Sequence, residues 1–187
     1  MSRRNRLAAA VLALGVPLAA QEASSPLRYS PSEKLFYCDV PPGWQAFEEA
    51  DAQGTTVHLL GPDGPAGGYR AGIDVRLYEK GQPGYLPVKE AVEEMRRSDK
   101  ASERKATGLR PLRVSGVLAR VFEVTEVRRL PEDRLPFVEE HLHHYVAVVP
   151  SCESYFIIRL SSNLEVYLDY RDLFVAFLKS FKGLGPR

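Results

Sequence analysis

Apolar and polar residues alternate in short runs through most of this chain, and only two stretches switch to a helical period. Across 71–78, Ile73, Val75 and Leu77 alternate with Asp74, Arg76 and Tyr78, the pattern of a strand with one buried face. The same reading gives strands at 35–40, 44–48, 55–60, 110–127 with a break near Gly116, 136–149 and 154–161. Turn-forming residues separate them, among them Pro41-Pro42-Gly43 and Asp51-Ala52-Gln53-Gly54. Pro87 opens a helix at the favoured first-turn position, with Val88, Ala91, Val92 and Met95 on one side. A second helix follows from Val166, Tyr170, Leu173, Phe174, Phe177, Leu178 and Phe181, and Gly183 is expected to stop it.

Strands in hairpin order favour an antiparallel sheet, and two amphipathic helices must bury their stripes against it. The expected fold is therefore α+β: an antiparallel β-sheet of about six to seven strands with amphipathic helices packed on its faces. No repeat or linker divides residues 35–183, which read as a single domain. Residues 21–34 are polar, with two prolines and four serines, and read as a flexible leader.

The first twenty residues follow another pattern. Arg3, Arg4 and Arg6 precede an unbroken run of small and apolar residues from Leu7 to Ala20, as in a secretory signal peptide. The run is too short for the roughly 20 residues that cross a bilayer as a helix. Cleavage after Ala20 is expected, and Gln21 stands where a lipoprotein would need cysteine, so the product reads as exported, soluble and not lipidated. An uncleaved signal retained as an anchor is the alternative.

Removing residues 1–20 takes the formal charge from +1 to −2. A near-neutral chain gives no argument for nucleic acid as a partner. An exported setting also gives Cys38 and Cys152 a reason to pair as a disulfide; two separate buried thiols are the alternative.

One stretch resembles a known family. Phe36-x-x-x-Val40-Pro41-Pro42-Gly43-Trp44 is similar to the opening strand and turn of PsbP-like domains, whose α-β-α sandwich is shared with the Ran-binding Mog protein. The likeness extends to the strand 71–78, the helix after it, the late strand Ser154-Tyr155-Phe156-Ile157-Ile158-Arg159-Leu160, and the closing Phe177-Leu178-Lys179-Ser180-Phe181. The resemblance implies an α-β-α sandwich over nearly all of 35–183. It also implies a mostly non-catalytic, accessory or binding role, with exported bacterial members the nearest likeness. In the turn, Pro41 and Pro42 cannot donate ladder hydrogen bonds and end the strand, so Trp44 is expected to fold back and become buried.

Candidate chemistry concentrates in Glu139-Glu140-His141-Leu142-His143-His144. On a strand, Glu139, His141 and His143 project from one face and Glu140, Leu142 and His144 from the other. Two imidazoles two residues apart, with a carboxylate beyond, could hold zinc or copper. The same residues read more readily as a solvated face or a protected edge strand, because nothing in the sequence brings the fourth histidine, His58, beside them. A second cluster, Arg96, Arg97, Lys100, Arg104, Lys105, Arg110 and Arg113 against Asp99 and Glu103, could meet an anionic partner or be a solvated helix end.

The glycines at 61, 64, 67, 68 and 72 form a connection between strands, because a phosphate loop would need a following helix. Gly-x-Ser-x-Gly is absent, and Glu48-Glu49 and Glu132-Asp133 sit near turns as solvated acids. The leading expectation is an exported non-catalytic binding or accessory module for an unknown protein or small ligand. A divalent-metal protein using His141, His143 and Glu139 comes second, and an enzyme third.

Overall fold

Most of the hairpins expected from the turn residues form and chain into a large antiparallel sheet, whereas Pro41-Pro42-Gly43 carries the chain into it from a smaller, separate sheet. The computed structural model describes residues 27–63, 69–131 and 135–184. The expected signal segment 1–20, residues 21–26, Glu132-Asp133 and Gly64, Gly67 and Gly68 lie outside the described residues.

The main sheet comprises eight strands: β3 (Gln45–Asp51), β4 (Gly54–Leu60), β5 (Gly72–Glu79), β6 (Lys105–Ala106), β7 (Arg110–Val114), β8 (Val117–Leu130), β9 (Val138–Ser151) and β10 (Ser154–Asn163). They run in the order β3-β4-β5-β10-β9-β8-β6, and β7 also pairs with β8. The break near Gly116 is a two-residue turn, Ser115-Gly116, with φ of 50° and 82°. Two successive positive φ angles match the twist of flanking strands in a tight hairpin.

A smaller sheet joins β1 (Leu27–Tyr29), β2 (Phe36–Val40) and β11 (Lys182–Gly183). The end of the expected loose leader is thus a strand. Leu27 and Tyr29 pair with Val40 and Cys38, and Tyr29 Oη and Ser32 donate hydrogen bonds to the Glu48 carboxylate. Glu48 is therefore not simply a solvated acid. Gly183 does not cap a helix either. The chain leaves the second helix at Phe181 in an extended conformation, and Gly183 pairs with Phe36, lying so close to Phe156 that a Cβ there would meet the ring at 3.0 Å.

Helix α1 (Val88–Met95) lies on one face of the main sheet, and α2 (Tyr167–Ser180) on the other. Ala91 and Val92 of α1 pack on Phe122, Val124, Val146, Val148 and Tyr155. Phe174, Phe177, Leu178 and Phe181 pack with Phe36, Cys38, Phe156, Ile158 and Leu160 in the larger core. Strand alternation sends these two sets to opposite faces. Trp44 is buried, edge-on to Tyr170 at 5.8 Å, as the proline-glycine turn predicts.

The expected disulfide is not formed. Cys38 points into the core between β2 and α2, whereas Cys152 occupies the exposed tip of the β9–β10 hairpin with φ of 49°. A thiol sealed in the core and one on an exposed hairpin tip stand in different surroundings, and both are free.

Candidate functional site

Helix α1 is too small for the face it covers. Eight residues make a helix about 12 Å long, while a sheet seven strands wide spans about 29 Å. The part of that face beyond Met95 is left open, and strand alternation lines it with polar residues. Thr56 and His58 of β4, Asp74 and Arg76 of β5, and Ile157 and Arg159 of β10 share this face, and with Glu49, Asp51, Tyr78 and Met95 they line a cleft of about 420 Å³.

The charges of the cleft are paired with one another. His58 Nδ1 lies 2.8 Å from Asp74 Oδ1, its Nε2 lies 3.3 Å from Glu49 Oε2, and its ring stacks on Phe47. The other oxygen of Asp74 accepts a hydrogen bond from Arg159 at 2.7 Å. Arg76 donates two hydrogen bonds to Asp51, which hold that carboxyl below the usual carboxylate range. Three carboxylates thus face two guanidiniums and one imidazole.

The polar row continues under Arg159 into a buried chain. Ser161 Oγ lies 2.8 Å from His144 Nδ1, and His144 Nε2 lies 3.2 Å from Glu126 Oε1. Because a carboxylate only accepts, His144 donates its Nε2 proton to Glu126, and burial favours the neutral ring, whose Nδ1 then accepts the Ser161 hydroxyl proton. Glu126 also accepts from Arg128 Nε at 2.5 Å and from Arg104, whose guanidinium donates further to the Met95 carbonyl at 2.8 Å. The hydrogen bond from His144 overcomes burial and, with the arginine charges, brings the Glu126 carboxyl down to about 2. Burial pushes the His144 imidazole below its ordinary value, against the pull of Glu126. The order serine, histidine, carboxylate resembles a hydrolytic triad, but Ser161 is only 4% exposed and sits mid-strand. A nucleophile must reach its substrate, and this hydroxyl does not.

No protein-family model matches the chain, and no curated protein matches it in sequence. Solved structures do. PsbP (CyanoP) from Synechocystis sp. PCC 6803 superposes with a TM-score of 0.53 at 14% identity, covering 94% of this chain and 98% of that one. The Ran-binding protein Mog1p of Saccharomyces cerevisiae superposes with a TM-score of 0.54 at 13% identity, covering 86% of this chain and 96% of that one. The fold is that of PsbP and Mog1.

Within this PsbP/Mog-like fold, the histidine strand β9 alternates as its sequence predicts, but the expected metal triple is not gathered. His143 lies on the α2 side, stacked on Tyr167 with ring centroids 3.4 Å apart, and its Nε2 is 3.1 Å from Glu123 Oε2. Glu139 is bound by Arg129 at 3.3 Å, and His141 is exposed. Among the described residues, no three histidine, cysteine or acidic side chains are placed to hold a metal ion. Two of the three are already taken: Arg129 of β8 holds Glu139, and Glu123 with the Tyr167 ring of α2 holds His143.

The basic cluster is likewise divided rather than joined into a patch. Arg104 turns inward to Glu126, Arg96 donates to the Thr107 carbonyl, Arg97 pairs with Glu94 at 2.5 Å, Arg110 pairs with Glu123 at 2.6 Å, and Arg113 donates to the Gly116 carbonyl. Lys100 and Lys105 are exposed. The histidine set aside in the sequence, His144, is the one most deeply wired. Its signal was available: Glu126, His144 and Ser161 occupy strand positions whose neighbours two residues away, Val124, Val146 and Arg159, share the α1 face.

Proposed function

We propose that this protein is an exported, non-catalytic binding or accessory module that receives its partner, a protein or a small ligand, in the polar cleft beyond Met95. One observation carries the reading. The cleft presents a row of charged groups already paired with each other yet partly exposed, so a partner can compete for them without any reactive group being released. The serine–histidine–carboxylate chain of Ser161, His144 and Glu126 lies beneath it and out of reach. Mog1, which shares the fold, is a Ran-binding protein, a precedent for protein recognition on this scaffold. Export rests on the arginine-led apolar segment 1–20. Among the described residues no helix is long and apolar enough to cross a membrane.

A photo-cross-linking residue placed at Thr56, in the cleft, tests the proposal against one at Asp172, on the exposed surface of α2. In the native envelope fraction the Thr56 variant should give a discrete adduct that Arg159→Ala weakens. Equal adducts from both positions, or none at Thr56, would overturn it.

A further inference from the structure

The shortness of α1 leaves a second opening, at its other end. There, a groove of about 490 Å³ runs between Val88 of α1 and the β7–β8 hairpin. This lies within the roughly 300–1,000 Å³ typical of small-molecule sites. Leu109, Pro111, Leu118 and Pro150 contribute its apolar lining, and Leu118 and Leu109 are 62% and 44% exposed. Among the described residues no carboxylate lines it; the charged groups are two arginines, Arg110 and Arg120. Arg110 is engaged by Glu123. Arg120, opposite Pro111 in the β7–β8 ladder, has no hydrogen-bond or ion-pair partner among the described residues.

We propose that this groove binds a free single-chain carboxylate amphiphile, a fatty acid of medium length. Its tail lies along Leu109, Pro111 and Leu118 and its headgroup on Arg120. The chemistry follows from complementarity. An exposed apolar trough gains by covering, and a guanidinium at its margin without a counter-ion selects a planar anion that can accept two parallel hydrogen bonds. The site is a groove between a helix and a hairpin, so it suits one extended chain and not a lipid surface. It lies at the opposite end of α1 from the polar cleft, and either can fail without the other.

Calorimetric titration of the full chain with dodecanoate, below the concentration at which it forms micelles, tests the assignment. Saturable one-to-one binding is expected. Dodecanol, with the same tail and no charge, should bind at least about tenfold more weakly, and so should dodecanoate to Arg120→Glu. Arg171→Glu, a charge change on α2, should leave affinity unchanged. Leu118→Asp should abolish binding, with circular dichroism verifying that both groove variants fold. Absence of dodecanoate binding, equal binding of dodecanol, or an Arg120→Glu variant that binds dodecanoate as the parent does would each overturn the proposal. Co-sedimentation with phosphatidylglycerol vesicles in the absence of dodecanoate binding would overturn it in favour of a membrane surface.

Discussion

His144 and Glu126 are joined at 3.2 Å across two adjacent strands, and both are almost wholly buried. Each loses affinity for protons on folding. Burial lowers His144 from its ordinary 6.5, and the hydrogen bond from His144 with the charges of Arg128 and Arg104 takes Glu126 from 4.5 to about 2. The unfolded chain therefore binds more protons than the folded one, and stability must fall as pH falls. The His144 contribution is complete above 6.5 and is lost first; that of Glu126 is complete above 4.5 and drains away towards 2. Thermal denaturation followed by circular dichroism should show a Tm that declines in both windows. In His144→Gln the upper decline should flatten. A Tm that rises on acidification from neutrality would contradict this arrangement.

Glu126→Ala should be far more damaging than removal of a surface acid. It would leave Arg104 and His144 without their shared acceptor and free Arg104 from the contact that helps hold the end of α1 to the sheet. Breaking a buried ion pair by deleting one partner costs about 3–5 kcal/mol. Urea denaturation should register that loss, whereas Glu153→Ala, whose pair with Lys80 is exposed, should shift stability by less than about 1 kcal/mol.

The two thiols should behave differently. Cys38 is completely buried, and burial pushes its thiol up to about 12, whereas Cys152 stands exposed on a hairpin tip. A thiol reagent at neutral pH and without reductant should therefore modify one cysteine in the native protein and two after denaturation. Cys152→Ser should abolish the native reaction. No reaction before or after denaturation would restore the disulfide.

Alternation and turn chemistry made the strands legible because each has one apolar face, and both helices followed from a continuous apolar stripe. What escaped was contact between distant segments. Leu27–Tyr29 reads as leader because its strand exists only through pairing with β2 and the tether to Glu48. The histidine strand showed which side chains share a face, yet not that α2 would lay Tyr167 on His143 or that β10 would bring Ser161 to His144. The cleft was invisible for the same reason: Glu49, His58, Asp74 and Arg159 come from four strands, and β10 is far from the others in the chain.

Gly61 lies tightly against the buried ring of Trp44. A Cβ at position 61 would lie 3.1 Å from Trp44 Cζ2 and 3.2 Å from the Ala71 carbonyl oxygen, which already accepts the Gly61 amide. Neither an indole in the core nor a paired backbone can retreat freely. Gly61→Ala should cost roughly 1–3 kcal/mol by overpacking, and Trp44 emission should shift to the red as the ring is displaced. Gly108→Ala, where a Cβ meets nothing within 4 Å, is the matching control and should do neither.

Zinc should find no strong site on the histidine strand. To ligate metal with His141, His143 would have to give up Glu123 at Nε2 or use Nδ1, which is buried beside α2. Leaving its place would also open the ring stack on Tyr167, and an aromatic pair of this kind contributes about 0.5–1.5 kcal/mol beyond simple burial. Glu139 would have to leave Arg129 at the same time. Calorimetry with zinc at micromolar protein should therefore give no saturable heat for the parent. His143→Ala should lower the unfolding free energy, through loss of the stack and of the Glu123 hydrogen bond, by roughly 1–3 kcal/mol. A one-to-one zinc isotherm abolished by His141→Ala would defeat this reading, because the exposed His141 has no structural work to lose and could affect the heat only as a ligand.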